Sequence, residues 1–217
     1  MERLMYASHE PDRIREEAIK NAKQYSFSNT LSWFVNHTAR ARKLALKCVN
    51  TADGDDWVQR LGWAYHFIVD YATTYHSFSS KSNPMPTLIK TGVDAGRKLS
   101  SNKTAVSMMV GAGVMSIAGG VIWKKKHNEF EKMCDVRWEW LDKNRVYAEF
   151  NAQRPTVPNG SIKHLNNKML KLHKFTNTLS TQWLYDCTQE EFKEYMFKIA
   201  NVMDYATHLV ITRKDKR

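Results

Sequence analysis

Residues 60–76 read Arg60-Leu-Gly-Trp-Ala-Tyr-His66-Phe-Ile-Val-Asp70-Tyr-Ala-Thr-Thr-Tyr-His76, and this stretch decides the fold. From Trp57 to about Ala72 apolar residues fill both the i+3 and the i+4 positions, the pattern of a helix buried on most of its surface. His66 and Asp70 are four positions apart and therefore share a face of that helix, one turn from each other. A polar group on an otherwise apolar helix costs roughly a few kcal/mol unless it finds a partner. A metal ion is one such partner; another polar side chain is the other. His76 falls beyond the expected end of the helix, completes an H-x3-D-x5-H spacing, and stands where it can reach a second ion.

Working outward, the chain reads as helices joined by short polar breaks. Pro11 and Asp12 precede a helix-forming stretch from Arg13 to Lys23, and Leu31, Phe34, Val35, Ala41, Ala45 and Cys48 recur at helical spacing over Asn29 to Val49. Asn50 to Asp56 is a turn rich in Asn, Asp and Gly, and Ser77 to Thr87 is a Ser/Pro-rich loop. Helical character resumes from Leu88 to Leu99 and from Lys124 to about Phe150. Asn151 to Gly160, with Pro155 and Pro158, is the linker. Two further helices follow, Ile162 to Thr178 and Gln189 to Thr212, the second opened by the capping-box pattern Thr188-Gln-Glu-Glu191. No stretch alternates with period two and no segment repeats, so the expectation is an all-α chain in one multi-helix bundle. Residues 1–150 would carry the metal site between helices, with an apolar insertion at about 88–124, and residues 151–217 would pack on the same domain.

Of the 217 residues, 33 are Lys or Arg and 22 are Asp or Glu, a net charge of +11 that favours an anionic partner. A phospholipid surface and a nucleic acid meet that description equally. Cys48, Cys134 and Cys187 form no CxxC pair and leave an odd thiol, which fits core positions in a reducing compartment. The opening residues lack the apolar run of a secretory signal, so the expected location is cytoplasmic, with membrane association open. That opening comes from Ala105 to Trp123, which holds no charge and is long enough to span a bilayer. It also holds four glycines and two serines with no Leu or Phe, a weak composition for insertion, and the expectation is burial beside the metal helices.

His127-Asn-Glu-Phe-Glu131 supplies a second His and acid one turn apart, and two such pairs facing each other make a metal site between helices. Taken singly, either pair is an ordinary polar contact. Taken together, Leu61-Gly62, His66, Asp70, His76, His127 and Glu131 stand in the order that marks the zinc-dependent phospholipases C and the related single-strand nucleases, and over roughly residues 5–140 the chain resembles that family. Ser8-His9-Glu-Pro-Asp12 resembles the family's upstream His element.

The resemblance implies an all-α fold and two zinc ions, one on His66 and Asp70 and the other on His76, His127 and Glu131, with His9 as a further ligand. It implies hydrolysis of a phosphodiester, such as a phospholipid, by zinc-activated water, with Asp70 bridging the ions. Asp12 is the nearest extra carboxylate for a ligand or base, with Asp55 and Asp56 competing for the role. Three features depart from the family. The chain opens with Met1 where the family has the Trp whose amino group helps bind a third zinc, Thr74 replaces a frequent Pro, and the interval from His76 to His127 is much longer. A nuclease, and a metal-stabilised interaction protein without turnover, are the rival readings. His37 reads equally as a metal neighbour or a surface residue. His164, His173 and His208 lack acidic partners at ligand spacing apart from Asp204, one turn before His208, and are not expected to bind metal. Trp138 falls near the metal face of its helix and Trp140 does not; Arg213 to Arg217 reads as a solvated tail.

Overall fold

The computed structural model describes residues 8, 40–73, 125, 128–154, 160–179 and 182–215. The fold is all-α, with no strand among the described residues. The helices are α1 (40–51), α2 (Trp57–Ala72), α3 (128–139), α4 (Lys143–Ala152), α5 (Ile162–Thr176), α6 (Trp183–Asp186) and α7 (Gln189–Lys214).

Three of them, α2, α5 and α7, pack pairwise against one another. Each brings a stripe at helical spacing: Leu61, Ala64 and Ile68 on α2, Leu165, Met169 and Leu172 on α5, and Phe192, Tyr195, Ile199, Val202 and Leu209 on α7. The directions follow from the contacts. Lys214 lies over the Trp57 ring at 4.6 Å and Tyr65 bonds Thr207, so α2 and α7 are antiparallel. The Tyr71 and His173 rings stack at 4.3 Å, and the Ser161 amide donates to the Tyr205 hydroxyl at 3.1 Å, so α5 runs with α2 and against α7. At 26 residues α7 is about 39 Å long and spans the bundle.

The Thr188 hydroxyl accepts from the Glu191 amide while the Glu191 carboxylate accepts from the Thr188 amide, which fixes the start of α7 where the capping-box pattern places it. Its other end differs from expectation. Arg213 and Lys214 form the last turn of the helix, Arg213 donating to the Val49 carbonyl at 3.3 Å, so these two residues tie α7 to α1 and α2.

The single helix expected over 124–150 is two helices. The chain turns at Trp140 and Leu141, and Asp142 caps α4 by accepting from the Arg145 amide at 3.2 Å. Arg137 fixes this corner: it is buried, donates to the carbonyls of Leu184 and Tyr185, and its guanidinium lies 4.2 Å over the Trp140 ring. Those carbonyls belong to α6, a one-turn helix that the sequence pattern does not announce. Helix α4 buries only Val146 and is held to α7 by Glu149–Lys193 at 2.6 Å, by the double hydrogen bond from Arg154 to Asp204, and by the Phe150–Phe197 contact at 5.4 Å.

Gly160 precedes α5 where the chain crosses α7, and a Cβ there would stand 2.6 Å from Leu209 Cδ2. Side chains from α1 and α2 and from α5 and α7 share one hydrophobic cluster, which also takes in Phe130 of α3. Cys48 and Cys187 are buried in it, Cys134 packs on it, and all three are free thiols. The segment Ala105–Trp123 lies outside the described residues; among the described residues no helix is long and apolar enough to cross a membrane.

Candidate metal centre on helix α2

Helix α2 is buried on more than one side. Tyr65 meets α7 and Tyr71 meets α5, so Ile68, fully buried between them in sequence, marks the side facing the three-helix core. Asp70 is two residues further on, about 200° round the helix. It nevertheless keeps only 7% of its surface exposed. The far side of α2 is therefore covered too, and that covered side carries the acid.

His66 stands one turn before Asp70 with the same access to solvent, each side chain 10% exposed, and its Nε2 lies 3.3 Å from Asp70 Oδ2. The imidazole and the Phe67 ring stand nearly perpendicular, centroids 5.2 Å apart. A charge-assisted hydrogen bond between such groups closes to about 2.7–2.9 Å. Two ligands on one tetrahedral zinc, each about 2.0–2.2 Å from the ion, stand about 3.4 Å apart. The 3.3 Å separation is that of an ion pair and also falls near the span of two ligands on one ion, and a neutral imidazole nitrogen with a carboxylate oxygen is a donor set that zinc accepts. These two side chains fit the ion.

The helix ends where the sequence expectation requires. Ala72 is its last residue, Thr73 turns to an extended conformation, and the Thr73 hydroxyl caps the Val69 carbonyl at 2.9 Å. His9, Asp12, His37, His76 and His127 lie outside the described residues. Glu131 is exposed on α3 beside buried Phe130. Burial, with smaller contributions from the charges of Asp135 and then Glu131, pushes the Cys134 thiol up to about 12, which keeps that thiol protonated. Among the described residues no three His, Cys, Asp or Glu side chains come together as a group able to hold an ion.

Two competitors for the extra carboxylate are removed. Asp56 stands at the N-terminus of α2, where it pairs with Arg60 at 2.6 Å, and Arg60 in turn donates to Thr51 at 2.9 Å. Fourteen residues of helix separate Asp56 from Asp70, about 21 Å. Asp55, exposed beside it, is as remote.

The remaining histidines have structural work. His173 Nδ1 lies 3.1 Å from the Tyr71 carbonyl and Nε2 lies 3.0 Å from Asn177 Nδ2, so a neutral ring donates to the first and accepts from the second. Burial holds its pKa below the ordinary histidine value. His164 Nδ1 is 3.2 Å from the Ser161 hydroxyl that caps α5, and His208 Nε2 is 3.3 Å from the Thr212 hydroxyl. Asp204, the acid one turn before His208, is held by Arg154. Trp138 is half-buried with its ring 6.3 Å from Tyr147, while Trp140 is exposed.

One polar group near the C-terminal end of α2 carries no local signal in the sequence. Arg42 of α1 donates to Asn166 of α5, and its charge reaches both the Tyr71 hydroxyl and the His173 ring. Its partners lie far along the chain and nothing in its neighbours announces them.

No protein-family model, curated protein or solved structure matches the chain. The likeness to the zinc-dependent phospholipases C therefore rests on the motif residues between His9 and Glu131.

Proposed function

We propose that the chain is a zinc-dependent phosphoesterase that hydrolyses a phosphodiester of the phospholipid type, with His66 and Asp70 as one half of a two-zinc site and His76, His127 and Glu131 as the other. The observation that carries this reading is the His66–Asp70 pair, buried on the covered side of α2 with 3.3 Å between nitrogen and oxygen. His66 would present Nε2, its ring beside the near-perpendicular ring of Phe67. Asp70 would supply the negative charge that offsets a cation in a place where water does so poorly. Zinc, when bound, lowers the pKa of its water to about 7 and stabilises charge on the phosphoryl group. Asp12 remains the carboxylate proposed to assist, with His9 as a further ligand.

The test is elemental analysis of zinc-replete protein followed by turnover. About two zinc ions per chain are expected, and fewer than about one would overturn the reading. Hydrolysis of phosphatidylcholine micelles in preference to single-stranded DNA assigns the phospholipid class. The reverse preference makes the chain a nuclease, and stoichiometric zinc without turnover makes it a metal-stabilised scaffold.

A further inference from the structure

Neither α1 nor α5 contains an acidic residue, yet each carries four Lys or Arg side chains. The two helices are neighbours, since Arg42 of α1 donates to Asn166 of α5. Arg213 at the end of α7 reaches the Val49 carbonyl near the end of α1, so α1 runs with α7 and against α5. On α1 the exposed positions include Arg40, Lys43 and Lys47; on α5 they include Lys163, Lys171 and Lys174. Their spacings are those of one helix face in each case. Several cations elsewhere on the bundle behave differently: Lys125, Lys143 and Lys198 each pair with a Glu four positions away in the chain. Among the described residues, eight Lys and Arg side chains thus stand on one pair of neighbouring helices that carries no acid of its own.

We propose that the α1–α5 face docks the protein on an anionic phospholipid bilayer. Five of its six exposed cations are lysines, mobile point charges suited to a fluid array of headgroups, whereas bidentate reading of bases and phosphates selects arginine. Leu170, 43% exposed, rises from the same arc of α5 as Lys163 and Lys174, and an aliphatic side chain among lysines suits an interface with acyl chains below it. No described aromatic ring is exposed on this face to stack with bases, which weighs against a single-stranded nucleic acid. The docking face stands on charge and position alone and holds whether or not zinc binds at α2.

The experiment is sedimentation of the protein with vesicles of phosphatidylcholine containing about a third phosphatidylserine, in EDTA and about 0.1 M salt, where the attraction reaches about 10 Å. Each lysine at such a surface contributes about fivefold in partitioning, so K163Q/K171Q/K174Q should bind about 100-fold more weakly. The control K125Q/K143Q/K198Q makes the same change in net charge and should lose less than about fivefold. Retained helical circular dichroism in both variants, all at exposed or part-exposed helix positions, keeps the comparison interpretable. Equal losses in the two variants would reduce the effect to net charge and overturn the docking face. Failure of the unmodified protein to bind these vesicles would overturn it as well. So would tight binding of a single-stranded oligonucleotide that displaces the vesicles and is itself lost in K163Q/K171Q/K174Q, which would assign the face to nucleic acid.

Discussion

Replacing Asp70 by Asn separates an ion site from an ordinary ion pair, because the exchange keeps the size of the side chain and removes its charge. In the metal-site reading, zinc at 100 times its dissociation constant stabilises the folded protein by about 2.7 kcal/mol. For a chain of this size each kcal/mol moves the thermal midpoint by about 2–4 °C, so zinc should raise the midpoint of the unmodified protein by about 5–10 °C over the protein in EDTA. If the substitution weakens binding by about 1,000-fold, the same zinc contributes less than about 0.1 kcal/mol and that part of the shift disappears. Any share held by the His76 group would persist, so loss of most of the shift is the expected result. In EDTA the variant should already melt lower, since His66 loses the carboxylate that stands 3.3 Å from it. Scanning calorimetry on both proteins, with and without zinc, gives the four midpoints. If zinc moves neither protein, or moves both equally, His66 and Asp70 are a core ion pair and the metal assignment fails.

Gly160→Ala should destabilise by about 1–3 kcal/mol in a urea titration, because the new Cβ meets Leu209 inside the core; an unchanged midpoint would mean the linker moves aside. Thr188→Ala removes the hydroxyl that caps α7 and should cost about 1 kcal/mol, with Thr188→Ser close to the unmodified protein; equal losses for Ala and Ser would show that the cap is not the cause. Burial lowers the His173 pKa in the folded state, so below the ordinary value of 6.5 the unfolded chain takes up a proton that the folded one resists. Stability should therefore fall as the pH drops through 6.5 and level off only below the folded pKa, and His173→Gln should flatten that slope in urea midpoints between pH 5 and 8; an unaltered slope would place its origin elsewhere.

What the sequence reveals tracks how local the physics is. Trp57 to Ala72 is legible as a buried helix because its apolar residues lie on several sides, and the capping box marks the start of α7 because both partners are three residues apart. The corner at Trp140 is hidden for the opposite reason. Lys124 to Phe150 is helix-forming throughout, and the break is imposed by Arg137 reaching carbonyls 47 and 48 residues away. Asp142 is the one local hint, an N-cap residue inside what reads as a continuous helix. The last turn of α7 is similar: Arg213 and Lys214 resemble a solvated tail until Val49 and Trp57 are brought beside them.

The candidate site shows the same division, and the division bears on its chemistry. Spacing alone places His66 and Asp70 on one face, but it leaves open whether that face meets water, where the pair would need no further explanation. Burial of Asp70 about 200° from the core side of α2 closes that alternative. A carboxylate kept from water must be compensated, by a protonated His66, by another polar group or by an ion. The 3.3 Å separation suits that ion pair and also two ligands on one ion, and the response of the thermal midpoint to zinc in Asp70→Asn tells the two apart. The same reasoning disposes of Asp55 and Asp56. They are nearer to Asp70 in sequence than Glu131 is, yet fourteen residues of rigid helix hold Asp56 about 21 Å away, so no motion of side chains brings them to the site. A carboxylate that joins His66 and Asp70 in the proposed site would have to come from another segment of the chain.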